Sequence, residues 1–567
     1  MNAVLLYSIV AAVVATVAIR KGRARWLLSR AKYPSLAGHA RWSRRFAKLV
    51  SYYAYDADRF FRADDAPAVI AGRRRDAFGR LAERCAARWP ASAAAMTELE
   101  ASIPDVRFTA RYRVPFQFRE LVRRRLKTGG MFVRSDGTRL VDADGNVSYD
   151  LSGSYGVNLF GNDFYKGCIE RGAALVRDLG PVLGVYHPLM AYVLRRLREI
   201  SGFDDASFHM SGTEAVMQAV RLARYHTGRR HLVRFCGAYH GWWGDVQPGV
   251  GNPQTARDTF TLRDMDARSL RVLETRRDIA CVLVNPLQAL HPNSGAPADN
   301  TLLGSSRRAR FDRGAYGAWL QRLRDVCTRR GIVLIFDEVF VGFRLAPGGA
   351  QDYFGVRADL VTYGKTLGGG LPVGVVCGPA ALMQRFREDR PADICFARGT
   401  FNAHPYVMGA MHEFLAFLET DAARSLYANA DALWNGRAAA LNTRLARSGL
   451  PLEIASLGTI WTVCYTQPSR YNWMLQYYLR LEGLHLPWIG TGRFIFSLDY
   501  SDADFAAVAD RFIAAAIAMR EDAWWWADGS LTDRSIRRRV ISELRQEWWR
   551  ACIGSMSSPR SSAKGAR

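Results

Sequence analysis

Short apolar runs alternate with helix-like stretches through the middle of this chain of 567 residues. The apolar runs are HLVRFCG (231–237), IACVLVNP (279–286), GIVLIFDEV (331–339) and DLVTYGK (359–365). A helix-like stretch, RLRDVCTRRG (322–331), separates two of them. Between about residues 106 and 520, this alternation predicts a mainly parallel sheet covered by helices. In such sheets, ligands bind at the carboxyl ends of the strands.

The N-terminal pattern is different. Residues 3–19, AVLLYSIVAAVVATVAI, are uncharged and are followed at once by basic residues at 20, 21, 23 and 25. A helix of this length spans roughly 25 Å, near the short limit for a membrane helix. A cleaved signal peptide needs basic residues before the run, and none precedes Ala3. We therefore expect residues 1–20 to form a transmembrane anchor with the rest of the chain cytoplasmic; a buried or cleaved segment is the alternative.

The two flanks differ from the centre in composition. Residues 21–105 are rich in Arg and Ala and include helix-like stretches, which predicts a helical extension. Residues 521–567 form a basic, Trp-rich extension containing EDAWWWADGS and SIRRRVISELRQEWWRACIG. Trp beside Arg suits a membrane interface, and packing onto the main domain is the alternative. Residues 557–567 are predicted to be disordered.

Composition narrows the function classes. The nine cysteines are scattered without a C-x-x-C pair, which argues against a disulfide framework or a zinc module. The ten histidines show no ligand spacing, so no metal is predicted. The net charge of +25 suits nucleic acid or an anionic membrane surface. No nucleic-acid-binding motif accompanies the charge, so nucleic acid is not expected as a partner.

One lysine stands out in the stretch YGKTLGGGLPVG (363–374). Only seven of the 78 basic residues are lysine, and Lys365 is the only one between Lys166 and Lys564. A primary amine can condense with a carbonyl to form a Schiff base, whereas arginine stays protonated. A nucleotide-binding P-loop would need glycine at position 359, where this chain has Asp359.

Two further stretches could contact a cofactor. Ser211, Gly212 and Thr213 precede a helical face with apolar residues at 216, 219, 220 and 223, so a phosphate could bind at the helix start. An ordinary N-cap is the alternative. Tyr239 and His240 end a strand, and either ring could stack on a planar cofactor.

A carboxylate completes the set. Asp337 and Glu338 end an apolar strand, where a carboxylate needs a cationic or hydrogen-bonding partner. A protonated pyridine nitrogen is one candidate, and an arginine salt bridge is the other. Phosphate cradle, stacking ring, carboxylate and lone amine are together the parts of a pyridoxal-phosphate site.

Residues from roughly 106 to 515 resemble a class III (fold type I) aminotransferase. The motifs are SGTEAVMQAVRLAR (211–224), AYHG (238–241), RGTFNAHP (398–405) and the long stretch LIFDEVFVGFRLAPGGAQDYFGVRADLVTYGKTLGGGLPVGVVCG (334–378). The chain is similar to glutamate-1-semialdehyde aminomutase and to aminotransferase domains of hybrid polyketide–peptide synthetases. The resemblance implies an α/β fold over 106–520, with a large cofactor domain at about 165–410 and a smaller α+β domain from its flanks.

The resemblance also implies roles for particular residues. Lys365 would bind the cofactor covalently and shuttle the proton, and Asp337 would pair with the pyridine nitrogen. Tyr239 would stack on the ring, and Thr400 would reach the phosphate from the partner subunit of a homodimer. The predicted cofactor-binding set is Ser211, Gly212, Thr213, Tyr239, His240, Asp337, Lys365 and Thr400, with Lys365 and Asp337 catalytic.

The sequence departs from the family pattern at two places. Asn285-Pro286 replaces the usual Glu-Pro. The loss of that carboxylate puts in doubt one contact to the residues around the reacting groups, but not the main chemistry. Ala403-His404-Pro405 replaces the usual GNP, as in the synthetase-embedded domains.

The expected activity is transamination from a small-molecule amino donor to a ketone or aldehyde, with pyridoxal 5'-phosphate as cofactor. An aminomutase and a non-catalytic cofactor-binding scaffold are the alternatives. The expected anchor suggests an acyl or lipid-like acceptor at the membrane, with an acyl carrier protein as a candidate partner. FRELVRRRLK (118–127) could meet a carboxylate or a phosphopantetheine arm, or could be a solvated face.

Overall fold

The computed structural model describes residues 3–33, 45–246, 256–294, 307–487 and 492–557. The strands are β1 (Phe132–Asp136), β2 (Arg139–Asp142), β3 (Val147–Asp150), β4 (Asp205–His209), β5 (His231–Phe235), β6 (Thr259–Leu262), β7 (Ile279–Val284), β8 (Val333–Asp337), β9 (Leu360–Gly364), β10 (Gly374–Gly378), β11 (Leu452–Leu457), β12 (Ile460–Tyr465), β13 (Leu484–His485) and β14 (Phe494–Ile495). The predicted disordered tail falls almost entirely outside the described residues.

The α-helices are α1 (Ala3–Ala31), α2 (Ala57–Phe61), α3 (Ala68–Arg88), α4 (Pro90–Ser102), α5 (Pro104–Tyr112), α6 (Arg119–Arg125), α7 (Asn162–Leu175), α8 (Met190–Ser201), α9 (Gly212–Thr227), α10 (Ala267–Thr275), α11 (Arg313–Arg330), α12 (Gly349–Phe354), α13 (Ala380–Met383), α14 (Pro405–Phe417), α15 (Asp421–Ala428), α16 (Ala430–Arg447), α17 (Leu475–Leu481), α18 (Asp502–Glu521) and α19 (Asp533–Ser557).

The chain folds into two compact units, each built from three chain segments. The first contains Met1–Ser43, Gly156–Ala296 and Arg310–Asp431. Its seven-stranded sheet has the order β4-β10-β9-β8-β7-β5-β6. β10 is antiparallel to both of its neighbours, and the strands from β9 to β6 pair in parallel. This is the mainly parallel α/β sheet that the apolar runs predict.

The central strands of this sheet are buried along their whole length. Every residue of β7, β8, β9 and β10 is buried, which explains why these strands are continuous apolar runs. Helix α9 covers them with the apolar face predicted from its spacing, including Val216, Ala219 and Val220. Ser211 caps its start, and Gly228 ends it in the left-handed region at φ 62°.

The expected membrane anchor is wrong. Among the described residues, no helix combines the length and the apolar character that a membrane crossing needs. The apolar run is short, and α1 continues without a break through the basic residues to Ala31. There the helix end is packed: Ala31 is fully buried, and its carbonyl accepts a hydrogen bond from the Arg263 amide at 2.8 Å. The predicted single-pass membrane localisation is wrong for the same reason.

The second unit contains Arg44–Tyr155, Pro297–Ala309 and Ala432–Arg567. It has a four-stranded sheet, β1-β2-β3-β13, and a three-stranded sheet, β11-β12-β14. Its first and last segments meet, because Glu543 on α19 accepts hydrogen bonds from Tyr53, Tyr55 and Arg59 at 2.6–2.9 Å. The domain boundaries expected from the sequence stay predictions.

Four of the five C-terminal tryptophans fall into two groups. Trp524 and Trp525 are buried, and their indole N–H groups donate to the Tyr478 hydroxyl and to Asn472 at 2.8 and 2.9 Å. For these two, packing is the correct alternative. Trp548 and Trp549 are exposed on α19.

Candidate active site

Two of the predicted site residues, Asp337 and Lys365, lie at the carboxyl ends of neighbouring strands. Asp337 is the last residue of β8, and Lys365 directly follows β9. The two strands pair in parallel with Asp337 opposite Thr362, so the carboxylate and the lysine leave the same edge of the sheet. The segment with Tyr239 follows β5, two strands away from β8 in the sheet order.

Asp337 is buried and paired with a histidine. Its Oδ2 lies 2.8 Å from His240 Nδ1, and its Oδ1 accepts a hydrogen bond from the Val339 amide at 3.2 Å. A carboxylate can only accept, so His240 donates through a protonated Nδ1. Burial lowers the pKa of His240, although the Asp337 carboxylate opposes this effect. The imidazole is therefore neutral at neutral pH, and it orients the carboxylate through this hydrogen bond.

This pairing also decides between the two rings considered from the sequence. His240 is 1% exposed and lies against Asp337, whereas Tyr239 is 61% exposed. Of the two, Tyr239 is the ring that a planar ligand could reach.

The neighbouring carboxylate has a separate structural task. Glu338 accepts hydrogen bonds from the Ala350 and Gln351 amides at 2.6 and 3.1 Å, at the start of α12. Burial raises the pKa of Glu338 to about 8. Within the described ranges, neither Asp337 nor Glu338 forms an ion pair with lysine or arginine, so the salt-bridge alternative has no support there.

Lys365 begins a short 3₁₀ turn, Lys365–Gly368, and has a left-handed backbone with φ 51°. Its Nζ lies 4.1 Å from the centroid of the Phe340 ring. Gly156 packs on the same ring, and a Cβ at this position would come within 2.8 Å of it. An aromatic face therefore borders the amine.

The start of α9 fits both interpretations made from the sequence, an ordinary N-cap and a phosphate-binding site. Ser211 Oγ accepts from the Glu214 amide at 3.3 Å, and Glu214 accepts in return from the Met210 amide at 3.0 Å. This capping box leaves the Gly212 and Thr213 amides without an intrahelical partner. Gly212 packs on Val339, where a Cβ would approach a methyl carbon to 2.5 Å.

Asn285 has a role that sequence reasoning missed. Its Nδ2 donates to the Tyr239 carbonyl at 3.0 Å, and its Oδ1 accepts from the Leu287 amide at 3.1 Å. The carboxylate usual at this position could not donate the first of these bonds. Asn285 therefore holds the segment that presents Tyr239. The sequence indicated a departure here but not its partner.

Thr400 is not part of this cluster within one chain. It lies in an exposed turn, and among the described residues no hydrogen bond joins it to the other predicted site residues.

The class III aminotransferase family profile matches residues 123–246 and 314–516, which is more than half of the chain. The chain belongs to the class III aminotransferases. It is 31% identical over 362 residues to a glutamate-1-semialdehyde 2,1-aminomutase of Geotalea daltonii, covering 60% of this chain and 77% of that protein. An omega-transaminase structure from Sphaerobacter thermophilus is 26% identical with a TM-score of 0.61, covering 76% of this chain and 98% of the other. A transaminase solved with PLP bound is 25% identical with a TM-score of 0.62, covering 77% and 99%.

As a member of this family, the enzyme is a pyridoxal-phosphate-dependent aminotransferase or aminomutase. Its own residues fit that cofactor. A buried carboxylate is oriented by a histidine, a lysine lies at the next strand end, and the first amides of α9 have no intrahelical partner.

Proposed function

We propose that this enzyme is a transaminase that moves an amino group from a small-molecule donor to a ketone or aldehyde, with Lys365 and Asp337 as catalytic residues. The supporting observation is the Asp337–His240 pair at the end of β8, beside the strand that ends at Lys365. When bound, pyridoxal phosphate supplies a carbonyl carbon for amines and a ring that withdraws electrons from the substrate.

In this proposal Asp337 holds a proton on the pyridine nitrogen. Its carboxylate is oriented from two sides, by His240 Nδ1–H and by the Val339 amide. Because His240 is neutral, the charge of Asp337 stays available for the ring nitrogen. A preorganised charge in a buried site stabilises a transition state without further rearrangement.

Lys365 removes and returns the substrate proton through Nζ. The Phe340 face beside the amine restricts the directions from which water can approach it. Tyr239 would cover the ring, and the Gly212 and Thr213 amides with the Ser211 hydroxyl would bind the phosphate.

Thr400 completes the phosphate site from the partner subunit of a homodimer. Dimeric organisation is typical of this family. The exposed position of Thr400 fits a residue that serves the other chain.

The acceptor is proposed only as a ketone or aldehyde. An acyl or lipid-like acceptor was inferred from the expected membrane helix, and no helix among the described residues is long and apolar enough to be one, so that argument is lost. Delivery by an acyl carrier protein stays a prediction, which rests on the exposed arginines of α6 alone.

Aminomutase activity is the second candidate, because the curated relative from Geotalea daltonii has that name. The two activities use the same cofactor residues and differ in whether a separate donor is consumed. Mass spectrometry of a panel of donors against carbonyl acceptors distinguishes them. A stoichiometric need for a second amine supports transamination, and isomerisation of one substrate without a donor supports the mutase.

The experiment that tests the site itself uses Lys365→Ala and Lys365→Arg. Both should lose turnover and the visible absorbance of the lysine-bound cofactor, because arginine keeps the charge but cannot condense. Normal activity in either variant would refute the assignment. Purified wild-type protein that binds the cofactor but shows no absorbance change with any amine would support the non-catalytic scaffold.

A further inference from the structure

The turn after β9, Lys365–Gly368, begins with a residue in a backbone conformation that lysine does not favour. Lys365 has φ 51°, in the left-handed region that residues other than glycine seldom occupy. Such strain persists only where the surrounding structure imposes it. The residues that hold this turn therefore decide where the lysine amine is placed.

A tyrosine from a distant part of the first unit contacts this turn. The Tyr165 hydroxyl on α7 forms a buried hydrogen bond with Oγ1 of Thr366, the residue after Lys365. The same hydroxyl accepts a hydrogen bond from the Leu159 amide at 3.1 Å. Tyr165 is 6% exposed, and burial raises the pKa of its phenol, so the group stays protonated.

The two glycines that follow the turn, Gly369 and Gly370, pack closely against two helices. A Cβ on Gly370 would lie 3.3 Å from the Cβ of Tyr165, and a Cβ on Gly369 would lie 2.3 Å from the Ala410 carbonyl oxygen. The turn therefore lies against α7 on one side and α14 on the other. The Tyr165–Thr366 hydrogen bond is the side-chain link in this contact.

We propose that Tyr165 is a positioning residue for Lys365, holding the strained turn through Thr366 so that the amine stays in its working position. This inference rests on the proposed function, in which Lys365 is the cofactor lysine. Tyr165 does not touch the reacting atoms. Its contribution is to prevent the turn from relaxing toward an ordinary backbone conformation.

The test compares Tyr165→Phe, Thr366→Val and the double variant in the full-length, cofactor-loaded enzyme. Each single variant removes one side of the hydrogen bond and should lower kcat by roughly 10- to 100-fold, as expected for a small displacement of a reacting group. KM should change by less than about twofold, because substrate contacts are kept. The double variant should be no slower than the slower single variant, because both remove the same interaction.

Two controls separate positioning from loss of stability. Tyr427→Phe removes a comparable tyrosine hydroxyl, which donates to the Phe343 carbonyl in the same unit. It should lower the thermal midpoint to a similar extent and leave kcat unchanged. Thr366→Ser keeps the hydroxyl and should retain activity, so the Thr366 pair tests the proposal even where Tyr165→Phe folds poorly.

A spectroscopic readout adds a measure independent of turnover. The pH at which the absorbance of the lysine-bound cofactor changes should shift in Tyr165→Phe and Thr366→Val, and not in Tyr427→Phe. An unchanged kcat and titration in Tyr165→Phe, with a thermal shift like that of Tyr427→Phe, overturns the inference. If Lys365→Ala also keeps the wild-type absorbance, the proposed function itself is refuted. If Lys365→Ala loses that absorbance, only the positioning role of Tyr165 is refuted.

Discussion

Replacing Asn285 by Asp should make cofactor retention depend on pH. Asn285 is 8% exposed, and its amide donates to the Tyr239 carbonyl at 3.0 Å. An ionised carboxylate has nearly the same shape and no donor, so two acceptors would face each other. The Tyr239 segment should then move away from the cofactor.

The size of the effect follows from the lost contact. The hydrogen bond itself contributes about 1 kcal/mol, and a polar group left without a partner costs about 1–3 kcal/mol more. If this sum of about 2–4 kcal/mol falls on cofactor binding, the dissociation constant rises roughly 30- to 700-fold.

Protonation should reverse the effect. Burial raises the pKa of a carboxyl, and the protonated group can donate its O–H to the Tyr239 carbonyl. We expect Asn285→Asp to hold the cofactor almost as well as the wild type at low pH and poorly at high pH. The assay desalts the enzyme and measures by absorbance how fast the bound cofactor is released. It is repeated between about pH 5.5 and about pH 8.5, a range that spans a raised carboxyl pKa.

Two controls isolate the contact. Asn285→Ala removes the same donor but cannot be rescued by protonation, so its release should be fast throughout relative to wild type. Asn442→Asp makes the same exchange in α16, where the amide donates to the Ile454 carbonyl at 2.9 Å, and should leave release unchanged. Equal pH dependence in Asn285→Asp and wild type would refute the reasoning.

Three other outcomes are expected. Asp337→Asn should keep the cofactor bound but slow turnover by more than tenfold, about 1.4 kcal/mol of barrier, measured as kcat; a smaller loss would give Asp337 another task. Thr400→Val mixed with Lys365→Ala should restore about a quarter of wild-type activity, because half of the mixed dimers are hybrids with one intact site; confirmed dimers without rescue would mean single-chain sites. The Glu338 pKa of about 8 lies above its unfolded value of 4.5, so the folded state binds more protons and the free energy of unfolding falls as pH rises through this window, by about 5 kcal/mol at most. The free energy of unfolding of Glu338→Gln, measured with denaturant, should depend less on pH than that of the wild type. The same pH dependence in both proteins would show that Glu338 is not the cause.

The sequence located those candidate catalytic residues that directly follow an apolar run. Asp337 and Lys365 could be placed at neighbouring strand ends because buried parallel strands are short, continuous and apolar. The start of α9 followed from its apolar spacing and its cap residues. These are local signals, and they also carried the family resemblance.

Long-range partners gave no such signal. Tyr165 meets Thr366 across 201 positions, and His240 meets Asp337 across 97. Nothing in the spacing of these residues tells that His240 lies under the carboxylate instead of stacking. The anchor was predicted wrongly because hydropathy of a short run does not reveal that the helix continues to Ala31 and packs there.

The contact between Ala31 and Arg263 has a consequence for synthesis on the ribosome. Arg263 is made about 230 residues after Ala31, a delay of roughly 10–50 s at ordinary translation rates. For that time α1 has been made but the residue that binds its C-terminal end has not, and its residues 7–19 stay exposed even in the finished fold. Apolar segments exposed in this way attract chaperones or aggregate. We expect the yield of folded enzyme to depend on holdase supply during and after synthesis, because docking of Ala31 does not cover these residues.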